Sequence, residues 1–219
     1  MRIFPLVLTP IEKFLLADDR PSYPMAFVID MTFEGIVDRE AFEQALPQAL
    51  DRHPLLKSFI RPAKRDELCW VTAGNTEPYV DWGSDEDPVE LPGSEWINLH
   101  DELGLRIWIR QGPEEAQMTL QFQHVCCDGI GAYRFIGDLL AIYGAQTVDD
   151  PSKSPVLGDV DPARLRGRAN GCGYLDRQNQ KVRQIAASIK LVTKILGVGC
   201  DPLYPTQKAR STPEYPGYS

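Results

Sequence analysis

The residues best suited to chemistry lie in one short stretch, Phe122-Gln123-His124-Val125-Cys126-Cys127-Asp128-Gly129, which reads H-x-x-x-D-G. An imidazole titrates near neutral pH, so a histidine held in place can take a proton from a hydroxyl or an amine. On a strand, Met118, Leu120, Phe122 and His124 share one face, which seats the ring at the end of an apolar strip, beside a loop loosened by Gly129. Asp128 would hold such a loop in shape by pairing with a cation from elsewhere in the fold. The same spacing fits a plainer reading, in which His124 is a structural histidine at a strand end and Asp128-Gly129 is a turn before a helix.

Other reactive groups are less well placed. Adjacent Cys126 and Cys127 beside an imidazole would attack a thioester only as thiolates; small cysteines beside a sheet more often fill space. His124 and Asp128 make two metal ligands with no third, because His53 and His100 sit in unrelated segments, so no metal site is expected. The acidic stretch 81–90, centred on Asp85-Glu86-Asp87, reads as a solvated surface loop without the ordered oxygen spacing that calcium needs. His53, before Pro54, reads as a local structural group, and His100 as a loop residue. The five cysteines are odd in number and have no C-x-x-C spacing, which indicates neither a disulfide framework nor a zinc site.

The elements that must position the motif follow from periodicity. Thr9-Pro10-Ile11-Glu12 is a capping sequence for a helix through Leu16. Residues 25–34 are β-branched and aromatic and predict a strand. Asp38 caps a second helix whose apolar face is Phe42, Ala45, Leu46, Ala49 and Leu50, with a kink or early stop expected at Pro47. Strands are expected at 55–61, 68–72 and 105–111. The turn Gly112-Pro113-Glu114-Glu115 then pairs the last of these with 116–125 as an antiparallel hairpin. A third helix over 130–143 buries Ala132 or Tyr133 with Ile136, Leu139, Leu140 and Tyr143. This order predicts an α+β (α/β layered) domain: a mixed, mostly antiparallel sheet covered by helices.

Composition bounds the rest. The 219 residues carry a net charge of −8, too acidic for an ordinary nucleic-acid binder. No apolar run approaches the roughly 18 residues of a membrane span, and Met1 to Pro10 makes a poor signal peptide, so a cytoplasmic location is expected. Charge divides the chain: residues 1–150 carry −14 and 151–219 carry +6. With Pro, Ser and Gly punctuating 149–161, the compact body is expected to occupy 1–148 and a linker and appendage 149–219. Within the appendage, 176–196 reads as an amphipathic helix with Val182, Ile185, Ile189, Val192 and Leu196 on one stripe, followed by a Pro-rich tail expected to be disordered in isolation.

The H-x-x-x-D-G segment resembles the active-site motif of the chloramphenicol acetyltransferase-like superfamily, above all the condensation domains of non-ribosomal peptide synthetases and their acyltransferase relatives. Residues 9–16 resemble the opening helix of those domains, and 25–34 followed by 38–50 resemble their first long strand and helix. Arg52-His53-Pro54-Leu55-Leu56-Lys57-Ser58-Phe59 resembles the R-H-x-x-L-R-x-x-F element that follows. The resemblance covers about 5–145 and implies a chloramphenicol acetyltransferase-like half-domain.

By that resemblance, His124 is the general base, and Asp128 is architectural and partnered by a family arginine whose place here is taken by Lys57. Lys57 supplies charge without the planar fork. Gly129 would let the backbone approach the donor thioester. The implied donor is an acyl-CoA or a phosphopantetheine-linked acyl group, with no permanently bound cofactor and no covalent enzyme intermediate.

Two departures stand out. Gln123 replaces the first of two consecutive histidines, which shifts the expectation from peptide synthesis toward ester or amide acyl transfer. The chain also stops where the second half of such a domain would begin. The site is then expected to be completed by a second half-domain chain or another copy. The competing expectations are a non-catalytic remnant or docking module of the same fold, and a cysteine-dependent thioesterase.

Overall fold

The computed structural model describes residues 3–63, 67–92, 94–147 and 157–170. The elements follow local chemistry closely. β1 (Leu6–Val7) leads into α1 (Pro10–Asp18). At its start Thr9 N–H donates to Glu12 Oε2 at 2.7 Å and Glu12 N–H donates to Thr9 Oγ1 at 3.3 Å, the reciprocal capping that the residue order predicts. β2 (Ala26–Glu34) is followed by α2 (Arg39–Arg52), whose Asp38 cap accepts from Ala41 N–H at 2.8 Å. α2 neither stops nor divides at Pro47. The ring lies on the solvent side, where the unpaired carbonyl of the preceding turn can be hydrated, while Phe42, Ala45, Leu46, Ala49 and Leu50 anchor the opposite face.

Two strand expectations change. Residues 54–57 form a 3-10 turn rather than the start of a strand, leaving β3 as Ser58–Pro62, next to β4 (Leu68–Thr72). The acidic stretch from 81 is not all surface loop: β5 (Tyr79–Ser84) pairs parallel with β6 (Leu105–Gln111). β5 was hidden because Asp81, Gly83 and Ser84 interrupt the apolar pattern; the backbone ladder and the Arg110–Asp81 contact support it instead. β6 turns into β7 (Glu115–Gln123) as the expected antiparallel hairpin, and α3 (Gly129–Thr147) follows.

The strands form an antiparallel three-stranded sheet, β1-β4-β3, and a mixed four-stranded sheet, β2-β7-β6-β5. β7 runs between β2 and β6, with Phe122 opposite Phe27 on one side and Leu105 on the other. α2 and α3 pack against each other and close the core with Ala132, Phe135, Ile136, Leu139 and Ile142. Ala132, not Tyr133, takes the buried position; Tyr133 is 69% exposed. The result is the expected α+β layering of helices over a mixed sheet.

The opposite face of β6 is also covered. Arg106 donates to Glu102 Oε1 and to the Ser94 carbonyl, both at 2.7 Å, and Trp108 Nε1 donates to the Glu90 carbonyl at 2.9 Å. Arg110 reaches Asp81 Oδ2 at 2.6 Å and the Pro88 carbonyl at 2.7 Å. These three side chains alternate with Leu105, Ile107 and Ile109 along the strand; the β5–β6 connection folds over them, and their polar atoms find partners as burial requires.

The compact unit runs from Met1 to Gly171, past the break expected near 149. Arg168, in the 3-10 segment Pro162–Asn170, grips Glu12 with two contacts of 2.7 and 2.8 Å and also donates to the Val7 carbonyl. Leu157 and Leu165 pack against the core. These contacts, ionic and apolar, reach residues far away in sequence, so composition alone gives no sign of them. The helix expected at 176–196 and the Pro-rich tail lie outside the described residues.

Candidate functional site

The motif occupies the passage from β7 to α3. β7 ends at Gln123 and His124 opens a turn, one step beyond the strand. Backbone contacts from different parts of the chain fix that turn. Gln123 N–H donates to the Gly104 carbonyl at 3.0 Å, His124 N–H to the Met25 carbonyl at 2.7 Å, and Cys126 N–H to the Gln123 carbonyl at 3.0 Å. Met25 is itself held, since its N–H donates to Asp19 Oδ1 at 2.7 Å while Asp19 Oδ2 accepts from Trp96 Nε1 at 2.7 Å.

The His124 ring stands edge-on to Phe27, with centroids 5.4 Å apart. Phe27 stacks on Phe122, which meets Phe135 edge-on. The imidazole is half-buried. Its Nδ1 is enclosed without a hydrogen-bond partner among the described residues, whereas Nε2 is not among such atoms. One ring nitrogen is therefore shut in, while the residue as a whole stays partly exposed beside the loop.

Asp128 and Gly129 are exposed. Asp128 Oδ1 accepts from Gly131 N–H at 2.7 Å and its carbonyl accepts from Ala132 N–H at 2.9 Å, so Asp128 caps α3. The expected pair between Asp128 and Lys57 is not formed. Lys57 Nζ instead lies 2.6 Å from Asp51 Oδ1, because the 3-10 turn after α2 directs it back along that helix. A Cβ at Gly129 would meet nothing within 4 Å, so the space beside the motif is unfilled. A Cβ at Gly131 would press on Cys127 Sγ and Asp128 Oδ1, and one at Gly104 would collide with Cys126 Sγ. These close approaches keep the two neighbouring segments against the turn; neither glycine carries a recognisable sequence signal.

The surroundings of the two motif cysteines, Cys126 and Cys127, disfavour their thiolates. Burial pushes the Cys126 thiol well above its ordinary value, and burial followed by the Asp128 charge pushes Cys127 up to about 12. A thiol so raised is protonated at neutral pH. Cys126 fills space against Gly104, in accord with the packing role.

The other histidines are engaged elsewhere. His100 Nδ1 lies 2.9 Å from the Ile60 carbonyl, and Arg61 donates to the His100 carbonyl. His53 Nε2 and Arg52 Nε meet the same carboxylate oxygen of Asp138, at 2.9 and 2.8 Å, which joins the end of α2 to α3. Burial lowers the His53 value despite the raising effect of Asp138. Asp138 is lowered overall: burial opposes this, and the hydrogen bonds from Arg52 and His53 outweigh it. Two concavities, of about 280 and 580 Å³, lie along α2 near Leu50 and Lys57; neither is lined by His124.

No family model matches the sequence, and no curated protein matches it. Solved structures do match the fold. An arginine-to-alanine variant of the starter condensation domain of rhizomide synthetase RzmA aligns over 81% of this chain and 46% of its own, with a TM-score of 0.62 and 15% identity. The X-domain in its complex with OxyB from teicoplanin biosynthesis aligns over 90% and 44%, with a TM-score of 0.62 and 18% identity. The epimerization domain from the third module of tyrocidine synthetase B aligns over 86% and 45%, with a TM-score of 0.60 and 14% identity.

The chain therefore has a condensation-domain-like fold, as an α+β half-domain. It spans less than half the length of these structures. Among the described residues no helix is long and apolar enough to cross a membrane.

Proposed function

We propose that this chain supplies the histidine-bearing half of a condensation-type acyl transfer site. The observation that carries the reading is His124, held at the exit of β7 by the Met25 carbonyl and partly exposed beside the loop, in a condensation-domain-like fold. An acceptor amine or hydroxyl would give its proton to His124 as its nitrogen or oxygen attacks the thioester carbonyl. The new carbon–nitrogen or carbon–oxygen bond forms as the carbon–sulfur bond breaks, and the imidazolium returns the proton to the departing thiolate. The donor would be an acyl-CoA or an acyl group on a carrier protein's phosphopantetheine arm.

The loop is exposed and His124 lines neither concavity, which supports a site completed by more protein. A second half-domain or a second copy would exclude water and provide the walls for donor and acceptor. His124→Ala should abolish transfer by the assembled protein while leaving the fold intact; undiminished turnover would refute the role.

A second reading is a docking module of the same fold. It is favoured by the missing Lys57–Asp128 pair, and one structural neighbour is itself a complex with another protein, OxyB. It predicts partner binding that His124→Ala does not disturb and no acyl transfer in the complex.

A further inference from the structure

Within the turn 124–126 that presents His124, the Val125 amide has no backbone acceptor among the described residues. Around it, the N–H groups of Gln123, His124 and Cys126 go to the carbonyls of Gly104, Met25 and Gln123. The Val125 N–H instead donates to the side-chain Oε1 of Gln123 at 2.6 Å. Gln123 is fully enclosed, and its Nε2 has no partner among the described residues. A buried donor left unpaired is unfavourable, so an apolar side chain would relieve that defect. It would also leave the Val125 amide unsatisfied and release the turn. The acceptor oxygen is what this position requires.

We infer that Gln123 is a positioning residue: its carboxamide oxygen closes the turn 124–126 and so fixes the direction in which His124 presents its ring. Gln123 ends β7 with its own main chain held by Gly104, so the oxygen is anchored to the sheet. The histidine is thereby tied to β6–β7 through Val125 as well as to the start of β2 through Met25. This mode of support is independent of Asp128, which caps α3, and of Lys57, which is paired with Asp51. The consequence for transfer rests on His124 being the base; the positioning itself does not.

Amide hydrogen exchange and His124 ring resonances, measured by NMR on the full chain, test the inference without any acyl donor. In the wild type the Val125 amide should be protected to a degree similar to Cys126; an unprotected Val125 amide would overturn the inference. Gln123→Met keeps the bulk and removes the acceptor. It should speed Val125 exchange by roughly tenfold, the loss of one hydrogen bond, and shift the His124 ring signals while Leu120 exchange stays unchanged. Gln123→Glu retains an acceptor oxygen and should restore both readouts toward wild type. Unchanged Val125 exchange in Gln123→Met, equal acceleration at Leu120, or Gln123→Glu behaving like Gln123→Met would contradict it. These results stand whether or not transfer is ever observed, so a failed transfer assay refutes the base and leaves the positioning role to its own test.

Discussion

His53 and His124 stand at the two ends of one aromatic row. His53 meets Phe135 edge-on at 5.5 Å, Phe135 meets Phe122, Phe122 stacks on Phe27, and Phe27 meets His124 at 5.4 Å. The two rings are placed alike and partnered differently. At His53 the Nε2 atom is taken by Asp138, with Arg52 on the same oxygen, so the imidazole serves as a strut between α2 and α3. At His124 no charged group among the described residues is bound, the backbone is fixed instead, and Nε2 is not among the enclosed, unpartnered atoms. A histidine becomes available for proton transfer when its surroundings hold its main chain and leave a nitrogen free; ionic partners turn the same side chain into structure.

Substitutions at the two ends should therefore separate activity from stability. The largest expected effect is His124→Ala, a loss of about 10²- to 10⁴-fold in transfer by the assembled protein with little change in thermal midpoint. His53→Ala should show the reverse pattern, and loss of transfer without loss of stability there would erase the distinction.

Asp138→Ala comes next. It removes the carboxylate that Arg52 and His53 share and leaves Arg52 with the Gly158 carbonyl, at a site where all three side chains are about one-fifth exposed, and should cost about 2 kcal/mol in urea unfolding. A change within error would mean that the cluster does not join the helices.

Acidification should weaken the same end. Because the folded His53 value lies below its ordinary 6.5, the unfolded chain takes up the proton first as pH falls. Its contribution is complete above that value and declines below it. Asp138, also lowered, adds stability that is lost at still lower pH as the folded carboxyl protonates. Urea midpoints measured from neutral to mildly acidic pH should fall in the wild type and flatten in His53→Gln.

At the His124 end, Asp128→Ala should cost about 1 kcal/mol as a lost helix cap, whereas Asp128→Asn should be nearly neutral. Lys57→Ala should change stability by no more than about 0.5 kcal/mol, because its partner Asp51 is largely exposed. A large effect of Lys57→Ala on transfer would restore the charge pairing that the resemblance implied.

Much of this architecture was legible because local rules suffice for it. Thr9 and Glu12 announce α1, the spacing of Phe42, Ala45, Leu46 and Ala49 announces α2, and alternation announces the β6–β7 hairpin. The motif placed His124 near the end of β7 for the same reason. The hidden parts depend on contacts far apart in sequence. β5 exists through pairing with β6, and the Arg168–Glu12 grip draws residues 157–170 into the body. Asp19 supports Met25 and through it His124, with nothing in the local sequence to mark the connection. The expectation for Lys57 failed because family position set its role, whereas the 3-10 turn sets its direction.

The most direct test is thiol release from a panel of acyl-CoA and acyl-pantetheine donors with amine and alcohol acceptors. The full chain would be assayed as its native oligomer or with a co-purifying partner, wild type against His124→Ala. Acceptor-dependent release by the wild type that disappears in His124→Ala, with unchanged assembly, is the predicted result. Equal release by both proteins, or none by either assembled form, would contradict His124 as the base of an acyl transfer site.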